Sequence, residues 1–309
     1  MAAAHLLVLA LLCLRHHGVL GRSAPASHGA NGVALQPVLM TKASGANKAG
    51  GDIMHLAAYE TISRLPIEGE YYYYGTVARI NAWDLSLKPG RMSSVGMWLE
   101  GDGGNQIMAG FQVSPDIYND TNLHFFVSWT ADGYNSTGCF NTQCEGFVSS
   151  TPAASISPGS TVAQPSVYHG NQTDFTITIL KDPDAGSWTL YVDASGTKEQ
   201  VGYFPASLFT GLADHAAAVG WGGSVWSSAS LGAAPPMGSG HGPDEGFGGT
   251  AAYIASIALL DFGGSPSAPA EADLTSMTDA KECYNTTSVF VVNKHDGAFF
   301  YYGGPGCDH

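Results

Sequence analysis

An all-β fold, an antiparallel β-sandwich, is what this sequence predicts, and three observations predict it. Only 12% of the 309 residues are charged while 40 are glycine, a balance that suits strands and turns, because exposed helices carry many Lys and Glu. Short aromatic or β-branched runs recur between clusters of Gly, Pro, Asn and Asp. No helical pattern alternates with those runs, which argues against a parallel α/β sheet and for packed antiparallel layers. There is no period of the kind that marks a solenoid or propeller.

Taken in order, the chain opens with HLLVLALLCL at 5–14. That run is too short to cross a bilayer and has the length of a signal-peptide core. Val19-Leu20-Gly21 offers a cleavage site, so residues 1–21 read as a signal peptide and the chain as secreted. No later stretch is long and apolar enough for a transmembrane helix. Residues 22–56 read as a flexible leader, rich in Ala, Gly and Ser, and residues 57–309 as the folded domain.

Within that domain the expected strands are YYYYGTVARINAW (71–83), SVGMWL (94–99), NQIMAGFQV (105–113) and LHFFVSWT (123–130). DFTITIL (174–180) alternates, with Phe175, Ile177 and Ile179 on one face. After the turn KDPDAG, WTLYV (188–192) returns with Trp188, Leu190 and Val192 on one face, which predicts a hairpin. EQVGYFP, AAYIASIALLDF, SVFVVN and AFFYYG add strands. SLFTGLADHAA (207–217) reads as a short helix, and the Ser/Pro/Ala-rich residues 263–280 as a linker or long loop.

A net charge of −14 argues against nucleic acid and anionic membrane as partners. Beyond Cys13 in the signal region, four cysteines remain, and an even count in a secreted chain reads as two disulfides. The local pairing, Cys139–Cys144 and Cys283–Cys307, is the simplest of three connectivities. Sequons at Asn119, Asn135, Asn171 and Asn285 are candidates for N-glycosylation.

Chemistry has several candidate carriers. Gly222-Gly223-Ser224-Val225-Trp226 has Trp where a nucleophile elbow needs its last glycine. Ser239, His241 and Asp244 are too close in a Gly-rich loop to converge as a triad. No His pair has metalloprotease spacing, so no metal or cofactor is expected, and His241 reads as a loop hydrogen-bonder. Paired carboxylates for acid hydrolysis would come from Glu100, Asp102, Asp244 and Glu245, which otherwise read as solvated turn acids. Tyr71–Tyr74 and Tyr301–Tyr302 could form an aromatic platform for sugars or peptides.

Read together, YYGTVARINAW, NQIMAGFQVSPDIYND, FVSWTADGYNSTGCFNTQCEGFV, TITILKDPDAGSWTLYV, VGYFPASLF and WGGSV…MGSGHGPDEGF resemble the neprosin family of secreted plant proteins. The resemblance implies a plant origin, an antiparallel β-sandwich, and a cleft in which two glutamates activate water, with a preference for cleavage after proline. One family glutamate falls on Met108. The other, after paired glycines, falls on Ser224, following Gly222 and Gly223. A thioether has no proton to exchange, and a serine hydroxyl needs an adjacent base. Each positioned acid–base group is worth about 10²–10⁴-fold, so losing both removes the family mechanism.

Acids are usual at Asp244 and Glu245 in members that keep the catalytic pair. MGSGHGPDEGF, with His241 and Glu245, therefore reads as the frame of the cleft, not as a replacement pair. The expectation is a secreted apoplast or cell-wall protein without peptidase activity that binds a peptide or cell-wall polymer. The alternatives are an acidic proline-directed endopeptidase with rearranged carboxylates, and a structural glycoprotein. Nothing in the sequence specifies an oligomeric state.

Overall fold

The structure is a computed structural model and describes residues 52–62, 72–194, 196–246, 248–293 and 297–308. The expected signal peptide and residues 22–51 of the expected leader lie outside the described residues. The first strands are β1 (Ile53–Thr61), β2 (Gly75–Asn81), β3 (Arg91–Gly101), β4 (Asn105–Val113) and β5 (His124–Thr130), with a single helical turn, α1 (Pro115–Tyr118), before β5. They are followed by β6 (Cys139–Phe140), β7 (Val148–Ser149), β8 (Asp174–Lys181), β9 (Trp188–Asp193), β10 (Lys198–Phe204) and β11 (Ala218–Ser227). The last third holds β12 (Ala233–Ala234), β13 (Ala252–Leu260), β14 (Pro266–Ser267) and β15 (Leu274–Ser276). It ends with β16 (Asn285–Thr286), β17 (Phe290–Asn293), β18 (Gly297–Gly303) and β19 (Cys307–Asp308).

A first sheet runs β15-β1-β11-β3-β4-β5-β6, and a second runs β16-β18-β13-β2-β8-β9-β10-β7. Their pairings are antiparallel. Alternation fills the space between the sheets. Val95, Met97, Leu99, Ile107 and Phe111 from the first sheet share one core with Ile177, Ile179, Leu190 and Phe300 from the second. Trp221 Nε1 donates to Thr76 Oγ1 across that core at 3.0 Å. The all-β sandwich is therefore as the sequence predicts. So is the β8–β9 hairpin, in which Ile177 faces Val192 and Ile179 faces Leu190.

Four expectations are corrected. The boundary between leader and domain, placed at 56/57, falls inside β1. Ile53 to Leu56 are strand residues paired with Ser224 to Ser227 of β11. Residues 207–217 are not a helix; only a 3₁₀ turn, Ala206–Leu208, forms there. The carbonyls a helix would use point elsewhere. Buried Lys181 donates through Nζ to Leu212 O (3.3 Å) and Ala213 O (2.5 Å), and Trp188 Nε1 also donates to Leu212 O (2.9 Å).

Residues 263–280 are not a plain linker. They carry β14, a 3₁₀ turn and β15, and β15 pairs with Tyr59–Thr61. Just beyond β15, Met277 N donates to Ala58 O, and Leu56 N donates to Asp279 Oδ1 at 3.0 Å. This segment runs along the open side of β1 and satisfies its backbone groups. The tyrosine platform also fails. Tyr73, Tyr301 and Tyr302 are buried, Tyr74 packs on Phe262, and Tyr71 lies outside the described residues. Tyr72 alone of the described five is exposed, against His215.

Candidate functional site

The face of the first sheet turned away from the second carries both positions that the resemblance singles out. Strand register arranges it in three rows across β1, β11, β3, β4 and β5. One row is Leu56, Ser224, Ser94, Gln112 and His124. The next is Ala58, Gly222, Gly96, Gly110 and Phe126. The third is Glu60, Gly220, Trp98, Met108 and Ser128. Three glycines side by side make a floor without side chains, and Ser224 and Met108 stand on its opposite banks. They lie two strands and four residues apart, about 10 Å across the sheet and about 13 Å along it at ordinary spacings. Long acidic side chains on both banks could lean over the glycines towards one water. Met108 and Ser224 carry no carboxylate.

Met108 is 2% exposed and belongs to an apolar cluster with Leu56, Ala58, Trp98, Phe126 and Phe140. Its methyl leans over the glycine floor: Met108 Cε stands 3.2 Å from where a Cβ on Gly96 would be. Ile117, Tyr118 and Met277 pack on the cluster from its margins. On the other bank, Ser224 is fully buried and its hydroxyl is 2.8 Å from Ser94 Oγ. The only neighbour that hydrogen bond supplies is another hydroxyl, which is no base at working pH.

The candidate acids divide. Glu100, near the end of β3, shares the face of Met108 and accepts from Gln106 Nε2 at 3.3 Å. It is a diagonal cross-strand neighbour of Met108, about 7–8 Å away between Cα atoms. Asp102 sits exposed in the 3₁₀ turn Asp102–Gly104 that follows. Asp244 and Glu245 lie in a third place, exposed on the 3₁₀ turn Pro243–Glu245 whose Pro243 is buried.

There Glu245 Oε2 accepts from Tyr168 Oη at 2.8 Å, and Glu245 Oε1 is 2.9 Å from His241 Nδ1. The Tyr168 and His241 rings stack, 4.0 Å apart and 16° from parallel. The bonds from Tyr168 and then His241 hold the Glu245 carboxyl below the usual range, and the same Tyr168–Glu245 bond pushes the phenol up. A general acid needs the opposite shift. His241 is thus a loop hydrogen-bonder, as the sequence suggests.

The cleft frame expected from MGSGHGPDEGF does not assemble as one site. Gly222 lies on the glycine floor. Gly223 faces the opposite way, where a Cβ would meet Met237 Sδ and Tyr302 at 2.7 Å, so the start of that motif packs into the core. His241 and Glu245 are tied to Tyr168 on the surface, on a loop apart from the β4 and β11 strands that carry Met108 and Ser224. Among the described residues no three His, Cys, Asp or Glu side chains gather to hold a metal.

Both local disulfides are present, Cys139–Cys144 and Cys283–Cys307. Of the sequons, Asn119, Asn135 and Asn171 are exposed and Asn285 is half-buried in β16.

Two residues at these sites escape a reading of the sequence. Glu60 is buried at 8% exposure and accepts from Trp98 Nε1 at 3.2 Å, with the indole lying over Gly220. The alternation of Leu56, Ala58 and Glu60 is the only local signal for it. Tyr168 lies 77 residues from Glu245 and has no periodic context at all.

A family model for Neprosin matches residues 89–305. Among solved structures, scytalido-glutamic peptidase with a peptide-based transition-state analogue aligns at a TM-score of 0.41 and 9% identity, covering 82% of this chain and 98% of that one. SCP-B, a member of the Eqolisin family of peptidases in complex with the tripeptide Ala-Ile-His, aligns at 0.38 and 7% identity, covering 81% and 98%. The family match takes in β4, the glycine floor, the Cys139–Cys144 disulfide and the MGSGHGPDEGF loop, most of the chain. The chain belongs to the Neprosin family.

Proposed function

We propose that this is a secreted member of the family without glutamic endopeptidase activity, which acts by binding a peptide or cell-wall polymer. One observation carries the first half. Both banks of the glycine floor lack a carboxylate at the positions the resemblance assigns to the family glutamates, with Met108 and Ser224 sealed at 2% and 0% exposure. A methyl over the floor displaces the water that two glutamates would polarise. Two disulfides support a secretory route, since such bonds persist in oxidising compartments. The domain limits that go with this reading are a signal peptide at 1–21, a leader before Ile53 and one β-sandwich domain, whose start β1 supports.

The test is digestion of a proline-rich substrate at acid pH by the purified full chain. The expected result is no cleavage above a heat-treated control. Cleavage that disappears with Glu100→Gln or Glu245→Gln would replace this reading with an acidic endopeptidase using rearranged carboxylates. Glu100, on the same face as Met108, is the observation in favour of that second reading. Absence of both cleavage and binding to peptides or wall polymers would favour a structural glycoprotein.

A further inference from the structure

We propose that Asn171 carries an N-linked glycan whose first sugar packs against Tyr168, a ring that the fold holds ready for it. Asn171 and Gln172 of the Asn171-Gln172-Thr173 sequon are exposed at the end of a turn, and Thr173 is half-buried. The turn is closed by Val167 N donating to Asn171 O at 2.9 Å and Gly170 N donating to Val167 O at 2.8 Å. Tyr168 is on this same turn, three residues before the asparagine. His169 between them takes a left-handed backbone, φ 55°, and its N–H donates to Gly249 O at 2.8 Å. A non-glycine residue held at positive φ is a local cost that the surroundings must impose.

The ring is fixed more firmly than an exposed tyrosine needs. Glu245 holds its hydroxyl, His241 stacks on it and His169 meets it edge-on with centroids 4.4 Å apart. Yet Tyr168 remains 39% exposed, on the same turn as the exposed Asn171. The ground around Glu245 is open as well: a Cβ at Gly242 or Gly248 would meet nothing within 4 Å. A pyranose presents C–H faces and hydroxyls, which suit a ring with an apolar body and polar neighbours. A ring already immobilised loses little entropy when a sugar lands on it.

The other three sequons lack this arrangement. Each is preceded directly by a tyrosine turned into the fold. Tyr118 stacks on His124, Tyr134 is buried, and Tyr284 donates to Pro235 O in the core.

The proposal rests on the chain entering the secretory route. There a lipid-linked oligosaccharide pyrophosphate is the donor. Its C1–O bond breaks, a C1–Nδ2 bond to Asn171 forms, and the amide proton leaves with the lipid pyrophosphate. The full chain is placed behind a host secretion signal, so that failure of its own leader is separated from failure of the site. Asn119→Gln, Asn135→Gln and Asn285→Gln leave Asn171 as the one sequon.

Peptide mass mapping reads occupancy. Thermal unfolding is then compared for the intact glycoform, a form trimmed to one sugar, and the deglycosylated form. Asn171 is expected to be occupied. The midpoint should be unchanged by trimming and lowered by about 2–4 °C on full removal, the size expected of a modest contact in a domain this large. That drop should persist in Tyr168→Phe and vanish in Tyr168→Ala. A bare Asn171, or an equal drop in Tyr168→Ala, overturns the proposal.

Discussion

Met108 fills one bank of the glycine floor with a buried apolar side chain. In its place a carboxylate would be surrounded by Leu56, Trp98, Phe126 and Phe140, and burial would raise its pKa. Met108→Glu should therefore destabilise the fold by about 3–5 kcal/mol at neutral pH, the range for an uncompensated buried charge. The sign of its pH dependence follows. With the folded pKa above the unfolded value of about 4.3, the penalty is small below that value and grows as pH rises towards the folded pKa. Denaturant midpoints at pH 4 and pH 7 check this: a loss equal at both values would mean the new carboxylate finds water or a partner. The absence of acids at 108 and 224 was legible from the residues themselves. The hydroxyl pairing of Ser224 with Ser94 was not, because those residues are 130 apart in sequence and meet only through β11–β3 register.

At the level of elements, β1 carries the largest revision. Its sequence, IMHLAAYET, holds two alanines at its centre and weak alternation, so it does not stand out from an Ala-rich leader. Those alanines are what the site needs. Ala58 lies directly against Gly222, where an added Cβ would come within 2.2 Å of Ala58 Cβ, so small residues are matched on both strands. Leu56 supplies the wall beside Ser224, and Asp279 clamps the strand from outside.

A chain beginning at Ala57 therefore loses half of a strand that lies between β11 and β15, exposing Ser224 and the apolar cluster. Such a chain should aggregate or melt without a cooperative transition, whereas one beginning at Asp52 should keep the transition of the full chain. Circular dichroism melts compare the two. The β8–β9 hairpin, by contrast, was legible in full, because strict alternation of large apolar residues specifies both faces and the register. The false helix at 207–217 arose because local propensity cannot show that Lys181 and Trp188 take its carbonyls.

For the whole molecule, two packed sheets supply the core and the disulfides fasten its ends. Cys139–Cys144 closes a separation of 5 residues beside β6, and Cys283–Cys307 closes 24. The longer bond ties the chain terminus to the segment that follows Asp279 and its clamp on β1. On chain-entropy grounds, losing the longer loop's bond costs about 3.5 kcal/mol and losing the shorter about 2 kcal/mol. Paired Cys→Ser substitutions, compared by equilibrium denaturation of the secreted protein, should show the larger loss at 283/307. Equal losses would mean that loop length does not set what each bond contributes.

By itself the sequence determined the fold class, the cysteine pairs available and the non-acidic side chains at 108 and 224, because composition, alternation and side-chain identity are local properties. Only the tertiary structure decided what surrounds those positions. Register across five strands set Met108 and Ser224 on two sides of a glycine floor, brought in β1 with Glu60, and drew His241 and Glu245 away to Tyr168. Neighbours in a sheet are chosen by pairing between strands far apart in the chain, and no single stretch of residues encodes that pairing.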